Sequence, residues 1–248
     1  MLEGMLLALH GYTENDQTWR EVLAPVEADR RCELLPGHGW KPCPPGLGPD
    51  ALVRALAARL PEGGSDVLGY SMGGRIGLQL ALDHPSLVRR LILISCHAGI
   101  RDLSQRAARR ERDEHLAQML EEDGIGPFVS WWQGNPALRP ASPLSRADEE
   151  SLRSIRLNHD PIGLAGALRS LGAGAFDDLW PRLSGLGMPT LLVAGAADPS
   201  YCTHMAEMAG LIPGSRFTVI PTAGHAVHRE QQEQLGWNIA SFLAGSGR

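Results

Sequence analysis

The stretch Gly69-Tyr70-Ser71-Met72-Gly73 constrains this chain more than any other. An apolar run, "SDVLGY" (65–70), leads into it, and a helical pattern, "GGRIGLQLALDHP" (73–85), leads out. A strand that turns within one residue into a helix throws that residue's side chain out of the turn and strains its backbone. Flanking glycines let strand and helix approach closely enough to make such a turn. A serine at the apex therefore stands exposed at the end of a buried strand. A glycine-rich turn without chemistry has the same local pattern, so the rest of the chain must decide between the two.

Five further apolar runs repeat the strand signal: "MLLALH" (5–10), "RCELLP" (31–36), "RLILIS" (90–95), "PTLLVAG" (189–195) and "RFTVIP" (216–221). Helical patterns lie between most of them. These are "NDQTWREVLAPVEAD" (15–29), with Pro25 as a possible kink, "DALVRALAARL" (50–60), "CTHMAEMAGL" (202–211) and "EQQEQLGWNIASFLA" (230–244). Such alternation argues an α/β fold built on a parallel sheet of about six strands. The region 98–180 breaks the pattern. It holds no strand run but four helical pieces, starting near Leu103, Ile125, Arg146 and Pro161. It reads as a helical cap inserted into a core formed by 1–97 and 181–248. "PGHGWKPCPPGLGPD" (36–50) reads as a long loop rich in Pro and Gly.

Composition narrows the function classes. With 248 residues, 43% hydrophobic and 21% charged, the chain fits one globular core with an insertion. A net charge of −5 argues against a nucleic-acid partner. The four cysteines form no CxxC pair, which argues against zinc and suits a cytoplasmic protein. The first residues lack the basic start and apolar stretch of a signal peptide. No run approaches the roughly 18 apolar residues of a membrane span. No His, Asp or Glu cluster has metal-ligand spacing, and no cofactor is expected.

Partners for Ser71 lie just past later strands. Asp198 in "VAGAADPS" is the acid candidate, with a helix cap as the alternative. His225 in "IPTAGHAVHRE" is the base candidate, with a loop histidine as the alternative. The order Ser, Asp, His is that of an α/β-hydrolase fold. On that template the backbone N–H groups of Tyr12, in "LALHGYTEN", and of Met72 form an oxyanion hole. Arg75 stands four residues after Ser71, on the same helix face. A buried arginine needs an anion, either a bound carboxylate or an internal Asp or Glu.

Several segments together resemble a known family. They are "LPGHG" (35–39), "GYSMGGR" (69–75), "QRAARRERD" (105–113), "WWQ" (131–133), "IRLNHD" (155–160) and "AGHAVHRE" (223–230). The chain resembles the α/β-hydrolase superfamily. Within it, the chain resembles the 2-succinyl-6-hydroxy-2,4-cyclohexadiene-1-carboxylate synthases of menaquinone biosynthesis. Members of that family eliminate pyruvate from a cyclohexene substrate bearing several carboxylates. The resemblance implies a catalytic triad of Ser71, Asp198 and His225. It also implies carboxylate binding by Arg75, Arg109 and Arg156, and a pocket lined by Tyr70 and Trp131. It implies the strand order 4-3-5-6-7-8 in the family's naming, with 5–10 interior, 31–36 at an edge and the fold's first strands truncated. Trp40 and Ala226 depart from the family's pattern.

Composition alone reads Arg109 and Arg156 as solvated helix positions. Trp131 and Trp132 cannot both face one way, so one should pack the cap onto the core. His228 reads as structural, and His38 as a loop hydrogen-bonder. Three functions follow from these readings. The first is a carbon–oxygen lyase acting on a polycarboxylate. The second is a serine hydrolase, either a carboxylesterase or a C–C bond hydrolase. The third is a non-catalytic binding protein.

Overall fold

The computed structural model describes residues 4–245; residues 1–3 and 246–248, the ends of the expected core, lie outside the described residues. Six strands among the described residues form one sheet: β1 (Met5–Leu9), β2 (Asp29–Glu33), β3 (Ser65–Tyr70), β4 (Val88–Ile94), β5 (Thr190–Gly195) and β6 (Arg216–Ile220). Their order is β2-β1-β3-β4-β5-β6, and every neighbouring pair is parallel. The strand at Met5–Leu9 is thus interior and β2 is an edge, as the family resemblance implies.

Among the described residues nine α-helices accompany the sheet: α1 (Pro49–Ala57), α2 (Met72–Asp83), α3 (Leu103–Glu122), α4 (Ile125–Gln133), α5 (Arg146–Leu157), α6 (Pro161–Leu171), α7 (Pro199–Leu211), α8 (Val227–Glu230) and α9 (Gln232–Gly245). The helix expected over 15–29 is the main departure. Only a 3-10 turn forms there, Asp16–Trp19, capped by Asn15. Pro25 has no N–H to give an α-helical ladder and restricts the residue before it, so the chain continues as turns.

Strand periodicity divides the core. Leu7 and Leu9 of β1, with Val67, Leu91 and Leu93, face a cluster that also takes Met72, Ile76 and Leu80 of α2. Leu6 and Ala8, with Leu68, Ile92 and Ile94, face Trp19, Leu235 and Ile239 on the other side. A third cluster joins α3, α4 and α6 through Leu116, Leu120, Phe128, Val129, Leu164 and Leu168. Tyr12 packs against that cluster and donates its hydroxyl to the Leu164 carbonyl at 3.1 Å.

A buried histidine group ties the sheet edge to these helices. His10 accepts the Leu35 N–H at 3.0 Å and donates Nδ1–H to the Gly11 carbonyl at 2.8 Å. Its ring meets His38 at 4.7 Å, and His38 meets His159 at 5.5 Å. His159 accepts the Gly39 N–H at 2.7 Å, while Asp160 N–H donates to the Gly39 carbonyl at 2.8 Å. His38 is therefore a core residue, although its Nδ1–H does bond the Pro36 carbonyl.

Burial lowers the His10 pKa to about 4, and lowers those of His38 and His159 as well. An unfolded imidazole takes up its proton near 6.5, so between there and 4 the unfolded state binds more protons. Stability should therefore fall as pH drops through this window, on the order of 3 kcal/mol for His10 alone. Denaturant melts at pH 7.5 and 4.5 should show that loss, with a smaller pH slope in His10→Gln. Equal slopes would remove His10 as its source.

Candidate active site

Ser71 joins β3 to α2 at φ 51° and ψ −107°. A non-glycine residue there costs roughly 1–3 kcal/mol and is held by its surroundings. Two hydrogen bonds do the holding. Ser71 N–H donates to the Ile94 carbonyl at 2.9 Å, and the Ser71 carbonyl accepts Arg75 N–H at 3.1 Å. The flanking glycines are required by contact. A Cβ on Gly73 would lie 2.3 Å from the Leu9 carbonyl oxygen, and one on Gly69 2.3 Å from that of Gly73. Gly73→Ala should thus cost roughly 1–3 kcal/mol or more. It should lower Tm by about 2–4 °C per kcal/mol. An unchanged melting curve would show that the elbow can relax.

His225 lies on the loop between β6 and α8, and Asp198 on the loop after β5. His225 Nδ1–H donates to Asp198 Oδ2 at 2.8 Å, and its Nε2 lies 3.3 Å from Ser71 Oγ. This bond sets the tautomer, leaving the Nε2 lone pair toward the serine hydroxyl. Asp198 is also a helix cap, since Oδ1 accepts Tyr201 N–H at 3.2 Å. One oxygen thus meets the histidine and the other the helix N–H. Glu230 steadies the histidine loop by accepting N–H from Gly224 at 2.9 Å and from Ala141 at 2.7 Å.

Over Ser71 opens a cavity of about 760 Å³. Its floor includes Ser71, Met72, Arg75 and His225; helices α3, α4 and α5 supply Arg109, Trp131 and Arg156. The N–H groups of Tyr12 and Met72 have no hydrogen-bond acceptor among the described residues. Arg75 is 5% exposed. Its guanidinium lies over the Phe176 ring at 5.2 Å and has no ion pair among the described residues. No internal carboxylate pairs with it among the described residues, although the buried Asp113 carboxylate acts on it through its charge. Arg109 donates Nε–H to Asp113 at 2.8 Å. Arg156 keeps a buried Nε without a partner. Both line the cavity, although Arg109 keeps 35% of its side chain exposed.

The aromatic pair divides its work. Trp132 stacks on Phe128 at 5.6 Å and meets Tyr12 at 5.2 Å, whereas Trp131 is 43% exposed on the cavity wall. Tyr70 lines the cavity with its ring between His225 and His228, at 5.4 and 4.2 Å. His228 is buried and faces Glu14 Oε1 at 3.4 Å, where Arg229 also donates to Glu14. Burial alone would push the Glu14 carboxyl up, but Arg229 and His228 hold it well below the usual carboxylate range. Sequence reasoning misses Glu14, Arg112, Asp113 and Tyr201, all of which line the cavity. Four arginines (75, 109, 112 and 156) against the carboxylates of Glu14 and Asp113 leave the cavity positive.

The profile of the Alpha/beta hydrolase family matches residues 6–235. This chain belongs to the alpha/beta hydrolase family. Among other members of the family, a Bacillus subtilis (strain 168) relative carries the provisional name 2-succinyl-6-hydroxy-2,4-cyclohexadiene-1-carboxylate synthase. It is 31% identical, over 96% of this chain and 89% of its own. An Enterobacter sp. (strain 638) protein of that synthase name is 28% identical, over 96% and 91%. The solved structure of MenH from S. aureus superposes with a TM-score of 0.95 at 29% identity, covering 100% of this alpha/beta hydrolase and 96% of that chain. Among the described residues no helix is long and apolar enough to cross a membrane, and no group of three His, Cys, Asp or Glu could hold a metal ion.

Proposed function

We propose that this protein is a carbon–oxygen lyase of menaquinone biosynthesis. It eliminates pyruvate from an acidic cyclohexene to give 2-succinyl-6-hydroxy-2,4-cyclohexadiene-1-carboxylate. The observation that carries the reading is Arg75, a buried guanidinium without an ion pair among the described residues, on the floor of a cavity that also holds Ser71 and His225, the latter backed by Asp198. A neutral ester has no use for that charge, while a carboxylate takes a guanidinium in two parallel hydrogen bonds.

His225, oriented by Asp198 and acting through Ser71, removes a proton from the ring substrate. The electron pair left behind becomes a ring double bond as the ring carbon–oxygen bond breaks. Pyruvate departs as its enolate and takes up a proton. The N–H groups of Tyr12 and Met72 stabilise the negative charge that develops on the substrate oxygen. No acyl-enzyme forms.

Arginines on several sides of the cavity suit a substrate with several acid groups. Arg109 acts on Arg75 through its charge, whereas Arg156 has Glu14 and Arg229 as its charged neighbours. The carboxylates of one substrate are thereby held at separate points, and the reactive C–H bond is turned toward His225. Trp131 and Tyr70 cover the ring. Segment 98–180 acts as a cap over the core. Free cysteines and a polyanionic substrate suit a cytoplasmic enzyme.

The test is product analysis in H₂¹⁸O. Elimination releases pyruvate and puts no solvent oxygen into the ring product. Incorporation of ¹⁸O into an acid product, with an acyl adduct on Ser71, would mark a serine hydrolase instead.

A further inference from the structure

Tyr201 stands on the first turn of α7, three residues after Asp198, and no motif in the chain marks it. Its ring packs on His225, with centroids 4.4 Å apart and planes at 52°. It lines the same cavity as Ser71 and Arg75. Its hydroxyl has no hydrogen-bond partner among the described residues. Asp198, the nearest carboxylate along the chain, is occupied by His225 and by the Tyr201 backbone N–H.

Arg75 and Arg109 lie close enough for their charges to act on the phenol. A guanidinium offers only donors, so neither arginine can accept the phenol's proton in a hydrogen bond. Burial pushes the phenol's pKa up, against those two charges, and keeps the O–H intact. The site thus presents a phenol donor beside a guanidinium fork, and among the described residues the phenol has no acceptor and Arg75 has no paired carboxylate, Asp113 acting on it only through its charge. One carboxylate would satisfy both.

We infer that the Tyr201 hydroxyl donates a hydrogen bond to the substrate carboxylate that Arg75 binds, and so selects acidic substrates and fixes their distance from His225. This rests on reading the cavity as a carboxylate site. Ring and hydroxyl then have separable roles. The ring packs the imidazole of His225, and the hydroxyl touches the substrate. Phenylalanine at this position keeps the first and removes the second.

The experiment is calorimetric titration with 4-oxo-4-phenylbutanoate, a ring ketone with a succinyl acid arm, and with its primary amide as the neutral counterpart. Wild type, Arg75→Ala and Tyr201→Phe are compared, together with KM and kcat for pyruvate release. Tyr201→Phe should weaken binding of the acid by about ten- to a hundredfold, the worth of a hydrogen bond to a charged group. It should raise KM by a similar factor, lower kcat by less, and affect the amide less than the acid. Wild-type affinity for the acid in Tyr201→Phe, alongside weakened binding in Arg75→Ala, would overturn the role of Tyr201 and leave the carboxylate site standing. A wild-type protein that binds acid and amide equally would overturn both.

Discussion

His225→Ala is expected to lower kcat for pyruvate release by about 10²–10⁴-fold, the usual worth of a positioned general base. The expectation rests on the bond to Asp198 at 2.8 Å and the approach of Nε2 to Ser71 Oγ at 3.3 Å. On the proposed reading the arginines still bind substrate without the imidazole, so KM should change far less than kcat. Ser71→Ala should also lose most turnover, because the proposed proton path runs through its hydroxyl. Steady-state kinetics on folded variants provide the check. A His225→Ala enzyme within tenfold of wild-type kcat would mean that another group takes the proton.

Arg75→Ala carries the second large effect, and a more selective one. Losing a charge-assisted hydrogen bond costs about 1.5–3 kcal/mol. That predicts about a ten- to a hundred-fold loss in kcat/KM for the acidic substrate. Turnover of a short neutral aryl ester should fall much less. Arg75→Lys should recover only part of the loss, since an ammonium lacks the planar fork. Equal losses on acidic and neutral substrates would make Arg75 a structural residue held by its place over Phe176.

The parts of this site that can be read from sequence are those with tight local constraints. Ser71 is marked because an apolar strand, a helix and two glycines meet around it, and the packing at Gly69 and Gly73 tolerates no side chain. Asp198 and His225 are marked because catalytic groups of a parallel sheet gather just past its strand ends. The Arg75 face follows from helical spacing. Other residues depend on how separate elements pack. Arginines 106, 109, 110 and 112 point around much of α3, and only its packing on α6 decides which of them look inward. Glu14 and Tyr201 lie in a turn and a helix start whose sequence carries no pattern for a pocket. The stretch 15–29 has helical composition, yet Pro25 and the Asn15 cap leave one short 3-10 turn.

The most direct measurement compares two rates for the purified wild-type protein. One is kcat/KM for pyruvate release from the acidic cyclohexene substrate, and the other is kcat/KM for hydrolysis of a short neutral aryl ester. A cavity built around Arg75 and a base at His225 predicts a ratio strongly in favour of pyruvate release, and collapse of that ratio in Arg75→Ala. Efficient ester hydrolysis with no pyruvate released would contradict the lyase and leave a serine hydrolase in its place.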